Sequence, residues 1–141
     1  MANKALNVSK VTKNNEFYTQ YKDVEKEIEN YIECDHGVFK DKTILLPCDD
    51  YDWSNFTKYF VDNFERFGLK KLISTSYAKR VDSHDTRGKL FMLTRSKDGS
   101  GRGDKFSGYL EGDGDFRSEE VTALRDEADI IVTNPPLFIV P

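Results

Sequence analysis

The sequence predicts an α/β fold built on a mostly parallel sheet. Two short apolar runs, Ile44, Leu45, Leu46 and Ile130–Val132, are bounded by charge or proline, the signature of strands buried on both faces. They alternate with segments whose apolar residues recur every three or four positions, the βαβ rhythm of a parallel sheet. The length of 141 residues suits one compact domain.

Residues 1–15 are polar and aperiodic and read as a flexible N-terminal arm. From Thr19, apolar residues at Tyr21, Val24, Ile28, Tyr31 and Ile32 predict a helix, with Lys22, Glu25, Lys26 and Glu29 on its solvent side. Ile44, Leu45 and Leu46 form the first strand, closed by Pro47. Phe56, Tyr59, Phe60, Phe64 and Phe67 predict one helix, capped by Asp52 or Ser54 and stopped by Gly68. Leu69, Leu72 and Ile73 mark the second strand. Residues 89–95 predict a third, followed by the glycine-rich turn SKDGSGRGDK and a hairpin partner at 106–112. Ser118 caps a helix with Val121, Leu124 and Ala128 as its stripe. The strand Ile130–Val132 then runs into the turn Asn134-Pro135-Pro136.

Only Leu137-Phe138-Ile139-Val140-Pro141 follows that turn. The sheet is therefore expected to be truncated after its fourth core strand. Its apolar flank would need cover from a missing C-terminal half or from a homo-oligomeric partner.

Composition narrows the function. With 21 basic and 25 acidic residues the net charge is -4, which excludes a histone-like binder but leaves room for a local DNA-facing surface. Ten Phe, seven Tyr and one Trp are too many for a disordered tail. No apolar run reaches the roughly 20 residues of a membrane span, and MANKALNVSK lacks the apolar core of a secretory signal; a cytoplasmic protein with no membrane partner is expected. Cys34 and Cys48 cannot build a disulfide framework or a four-thiolate zinc site. No metal is expected: Cys34, Asp35 and His36 lack further ligands, and 98–109 lacks the closing Glu of a calcium loop. With two histidines, one in the polar run around His84, hydrolase constellations are poor. Lys70, Lys71, Lys79, Arg80, Arg87 and Lys89 form a basic stretch that suits either phosphates or a solvated face.

Ligands of such sheets sit outside the carboxyl ends of the strands, which directs attention to loops 47–54, 74–80, 111–118 and 133–136. The strongest chemical signal is Asn134-Pro135-Pro136 after a buried strand. Two prolines fix the backbone and aim its carbonyls. The Asn134 oxygen and the Pro135 carbonyl can accept both hydrogens of a planar amino group, orienting its lone pair toward an electrophile. Adenine N6 is such a nitrogen, and inside a duplex it becomes reachable only when the base is flipped out.

On these residues the sequence resembles the EcoRI-type adenine-specific DNA methyltransferases, over nearly the whole chain. Asn134, Pro135 and Pro136 match the family's catalytic Asn-Pro-Pro-aromatic motif. Leu137 stands where the family has the aromatic, and Phe138 is one place late. Phe17, Tyr18 and Thr19 are similar to the family's N-terminal cofactor motif. Pro47, Asp49 and Asp50 lie in Leu-Pro-Cys-Asp-Asp, which is similar to the segment this branch uses after the first strand. Either Asp49 or Asp50 suits the cofactor's amino or sulfonium charge; both also suit capping the next helix. Tyr77 is placed to lie against the cofactor's adenine. Asp115 and Phe116, with Asp113 as the alternate, match the acid and apolar neighbour that hold that ring.

The resemblance implies a Rossmann-like S-adenosylmethionine-dependent methyltransferase fold, with 16–141 as the N-terminal part of the catalytic domain. It implies S-adenosylmethionine as cofactor, double-stranded DNA as partner, and methyl transfer to a flipped adenine. Asn-Pro-Pro also serves enzymes that methylate a protein glutamine or an RNA guanine. A further alternative is a non-catalytic fragment that binds cofactor or nucleotide, favoured by Leu137.

Overall fold

The computed structural model describes residues 20–47, 49–52, 54–78, 87–133 and 138–139. Helix α1 (Tyr21–Cys34) buries Val24 and Ile28, and Tyr31 stays exposed at the edge of that stripe. Strand β1 (Thr43–Leu46) is buried along its whole length. The helix predicted from Phe56 to Phe67 is two helices, α2 (Asn55–Asp62) and α3 (Phe64–Phe67). The break is at Asn63, whose side-chain amide donates to the Tyr59 carbonyl at 2.9 Å, competing with the helical ladder. Ser54 is the N-cap, accepting from the Phe56 and Thr57 amides, and Gly68 ends α3 at φ 66°.

Strand β2 (Lys71–Thr75) is followed by β3 (Lys89–Arg95) and β4 (Arg102–Tyr109). The second hairpin strand thus begins four residues earlier than the predicted 106–112. Asp98 ties the reversal together, accepting both the Ser96 and Ser100 hydroxyls at 2.7 Å. Helix α4 (Glu119–Glu127), capped by Ser118, leads into β5 (Ile130–Val132), and β6 (Phe138–Ile139) closes the series.

The six strands lie in the order β4-β3-β2-β1-β5-β6. Only β1–β2 and β1–β5 are parallel; β2–β3, β3–β4 and β5–β6 are antiparallel. The sheet is therefore mixed, a correction to the mostly parallel expectation, with a parallel centre and antiparallel wings. The flank beyond β5 is corrected too. Ile131 pairs with Ile139 and Val132 with Phe138, so the chain itself lines that edge.

The two faces are covered unequally. Val24, Ile28, Phe39, Phe56, Phe60 and Phe64 from the α1–α3 side pack with Ile44, Leu46, Leu72, Ile130 and Val132. On the other face Leu45, Ile73 and Ile131 meet Ala128, with Leu124 of α4 packed against them. Alternate residues of β1 and β5 thus enter opposite cores, which explains their uninterrupted apolar runs. The connection to β2 crosses one face and α4 crosses the other. The topological switch point therefore falls at the carboxyl end of β1.

Candidate functional site

At that end the chain leaves β1 through Pro47 and builds a polar, buried loop. The Asp49 amide donates to the Thr75 carbonyl at 2.7 Å, tying the exit of β1 to the exit of β2. The Asp49 carboxylate turns inward. One oxygen accepts the Ser54 hydroxyl and the other the Thr57 hydroxyl, each at 2.6 Å. Thr57 spends its one hydrogen there, so the 2.7 Å contact to Ser74 is donated by Ser74. Three hydroxyls on α2 and β2 are thereby ordered by one acid. Burial pushes the Asp49 carboxyl above its usual range, against the hydrogen bonds from Ser54 and Thr57 that lower it.

Asp50 has the opposite surroundings. Its side chain is only 7% exposed, yet its partner is a cation: Lys89 Nζ lies 3.3 and 3.2 Å from its two oxygens. The Asp52 amide donates to the same carboxylate at 3.0 Å, and Lys89 also bonds the Asp52 carboxylate. Burial works to lower the Lys89 pKa, but the bonds to Asp52 and Asp50 outweigh it and hold the ammonium above its ordinary value.

The second loop comes from the end of β4. Gly88 donates to the Gly112 carbonyl at 2.8 Å, and Ala78 to the Asp113 carbonyl at 2.7 Å. Gly114 adopts φ 84°, and a Cβ there would stand 2.2 Å from the Ser76 carbonyl oxygen; at Gly88 the distance is 2.3 Å. Both positions require glycine for this approach. The loop is thus pressed onto residues 76–78, with Tyr77 45% exposed beside it. Asp113 accepts the Asp115 amide at 3.0 Å, while Asp115 accepts from the Arg117 amide at 2.8 Å and its guanidinium at 3.2 Å. Arg125 lies over the Phe116 ring, 4.9 Å from its centroid.

The structure therefore brings Pro47, Asp49, Asp50, Tyr77, Asp113, Asp115 and Phe116 to one rim, at the carboxyl ends of β1, β2 and β4. Strand β5 points the same way, and Thr133 at its end is half-buried. Phe17, Tyr18, Thr19, Asn134, Pro135 and Pro136 lie outside the described residues. A cleft of about 590 Å³ opens beside the rim between α2 and the β3–β4 hairpin, lined by Tyr51, Asp52, Thr57, Lys58, Phe91 and Lys105 among others. It shares Tyr51 and Asp52 with the first loop but runs down the flank of α2, away from β5.

By sequence, Lys89 falls in a general basic stretch. In the fold Lys89 pairs with Asp50 and Asp52, and Lys71 with Glu127; Lys79 and Arg80 lie outside the described residues. Thr57, the buried hydroxyl beside Asp49, had one signal: a polar residue next to Phe56 on the apolar side of α2.

Comparison with known proteins gives the family. The chain matches the family described as Adenine-specific methyltransferase EcoRI over residues 5–140. It belongs to that family. It is similar to the type II methyltransferase M.EcoRI of Escherichia coli, 41% identical over 97% of this chain and 43% of the relative. It is also similar to M.MgeORF184P of Mycoplasma genitalium, 36% identical over 95% of the chain and 37% of the relative. M.MpnI of Mycoplasma pneumoniae is 35% identical over the same shares. The chain spans about two fifths of the length of these relatives. No solved structure matches it. No helix among the described residues is long and apolar enough to cross a membrane.

Proposed function

We propose that the chain is the cofactor-binding and amino-orienting part of a DNA adenine N6-methyltransferase, with a Rossmann-like parallel centre and double-stranded DNA as partner in the cytoplasm. One observation supports this above the others. In a member of this family, the strand leading to Asn134-Pro135-Pro136 ends on the same rim as the loops carrying Asp50 and Asp115.

The residues present fit S-adenosylmethionine. Asp50 is a nearly buried carboxylate already paired with an ammonium. Asp115, or Asp113, accepts hydrogen bonds in a loop bearing Phe116. Tyr77 offers an exposed ring against the same loop. When bound, the cofactor supplies the electrophilic methyl group. In this reading Asp50 meets its positive charge, with Asp49 holding the loop from behind. Asp115 and Phe116 take its adenine, with Tyr77 against the ring; Pro47, Phe17, Tyr18 and Thr19 close around the rest. Asn134 and the Pro135 carbonyl accept the two N6 hydrogens of a flipped adenine, and Pro136 stiffens their backbone. The rate comes from positioning and from fixed dipoles, without a covalent enzyme intermediate.

Calorimetric titration of the chain with S-adenosylmethionine tests the cofactor half. Saturable binding is expected, weakened roughly tenfold or more in Asp115→Ala, since a hydrogen bond to a charged group is worth about 1.5–3 kcal/mol. No binding by the folded chain overturns it. Leu137 favours a second reading, cofactor binding without turnover, because the family's aromatic is missing there. Methyl transfer to duplex DNA that is lost in Asn134→Ala supports the enzyme; binding without transfer supports the second reading.

A further inference from the structure

The carboxylate of Asp50 is almost withdrawn from water, yet it faces a cation delivered from the far side of the rim. Lys89 is the first residue of β3, and its amide and carbonyl are fixed to Ser76: the Ser76 amide donates to the Lys89 carbonyl at 3.1 Å, and the Lys89 amide donates to the Ser76 hydroxyl at 3.3 Å. Its side chain spans the rim with its Nζ 5.9 Å from the centre of the Tyr51 ring and reaches both oxygens of Asp50. The backbone is anchored while the ammonium sits at the end of a flexible four-carbon stem.

Resting on the reading of this rim as the S-adenosylmethionine site, we propose that Lys89 is a built-in stand-in for the ligand's amino-acid ammonium, and that binding exchanges one ammonium for the other on Asp50. Breaking a nearly buried ion pair without replacement is costly, so Asp50, which is held by an ammonium, keeps one in both states. An ammonium reproduces what Lys89 provides: three N–H donors on a compact charge. A sulfonium carries charge without N–H donors and cannot replace both contacts. The released Lys89 keeps a second carboxylate, Asp52, which is about half exposed, so its charge stays partnered at the edge of the site. Asp50 thus selects ligands that carry an ammonium, and Lys89 competes with them.

The exchange has a signature that a structural role for Lys89 lacks. Calorimetric Kd values for S-adenosylmethionine, S-adenosylhomocysteine and 5′-methylthioadenosine are compared in the wild-type chain, Lys89→Met and Lys89→Arg. Removing the competitor in Lys89→Met is expected to tighten the first two ligands by about fivefold to tenfold. Methylthioadenosine, which lacks the ammonium, is expected to change by less than about twofold. Lys89→Arg, which keeps a cation, is expected to stay near wild type for all three. Thermal melts establish that each variant is folded, and should Lys89→Met fail to fold, Lys89→Gln is measured in its place. Equal effects on all three ligands, no effect, or weaker binding of the ammonium ligands in the folded variant overturn the exchange and leave the cofactor reading standing. No binding of any of the three to the wild-type chain overturns both.

Discussion

The two loops of the rim are held by different physics. Loop 47–54 is fixed by side chains: one buried carboxylate gathers hydroxyls from Ser54 and Thr57, and through Thr57 from Ser74. Loop 111–118 is pressed by its backbone against the Ser76 carbonyl at Gly114, and Gly88, just before β3, crowds the same oxygen. The first is sensitive to charge and to hydrogen-bonding capacity, the second to volume. A rim built this way can present one nearly buried acid at β1 and a softer, more exposed acid pair at β4. That division suits a ligand with a charged amino-acid end and a planar heterocyclic end.

The contrast predicts an order of damage. Gly114→Ala is expected to cost most, upwards of about 2 kcal/mol, because backbone strain at positive φ adds to a collision with another backbone carbonyl. Chemical unfolding measures the loss. A cost below about 0.5 kcal/mol would show that the approach to Ser76 is not obligatory. Thr57→Val keeps the shape but leaves Asp49 and Ser74 short of a partner, for an expected loss of about 2 kcal/mol. Amide exchange should then quicken at 49–57 while 111–118 keeps its protection. Uniform quickening of both loops would erase the distinction between them. Ser54→Ala removes the cap and one bond to Asp49 and is expected to cost about 1–2 kcal/mol by the same unfolding measurement.

The smallest effect is a pH dependence at Asp49. Burial raises its folded pKa above the ordinary carboxylate value. Between those two values the folded chain therefore holds a proton that the unfolded chain has lost. Asp49's contribution to stability falls as pH rises across that window and is flat above it. Asp49→Asn removes this slope. Unfolding curves of both proteins from about pH 4 to about pH 8 should show their difference shift in favour of the variant as pH rises. A shift in favour of wild type contradicts the raised value.

Much of the fold was legible because it lies in local pattern. The Val24–Ile28 stripe, the Ser54 and Ser118 caps, the Gly68 stop and the hairpin all follow from spacing and turn chemistry. Strand direction did not. The link from Thr75 to Lys89 is long enough for a crossover to a parallel strand, and nothing in its composition says that β3 returns antiparallel. That difference also hid Lys89. In an antiparallel β3 the first residue stands at the carboxyl rim, across from Asp50; in a parallel one it would stand at the opposite edge. Asp49 and Asp50 read as equivalent neighbours, and only tertiary placement gives one to hydroxyls and the other to a cation.

In the proposed reading both loops belong to one binding edge. Amide chemical-shift mapping of the isotope-labelled chain during titration with S-adenosylhomocysteine tests it most directly. Shifts are expected at 49–52, 75–78 and 111–117 together, with the hairpin turn at 96–101 silent. Shifts confined to one loop, or running instead along Lys58, Phe91 and Lys105 in the neighbouring cleft, would contradict it.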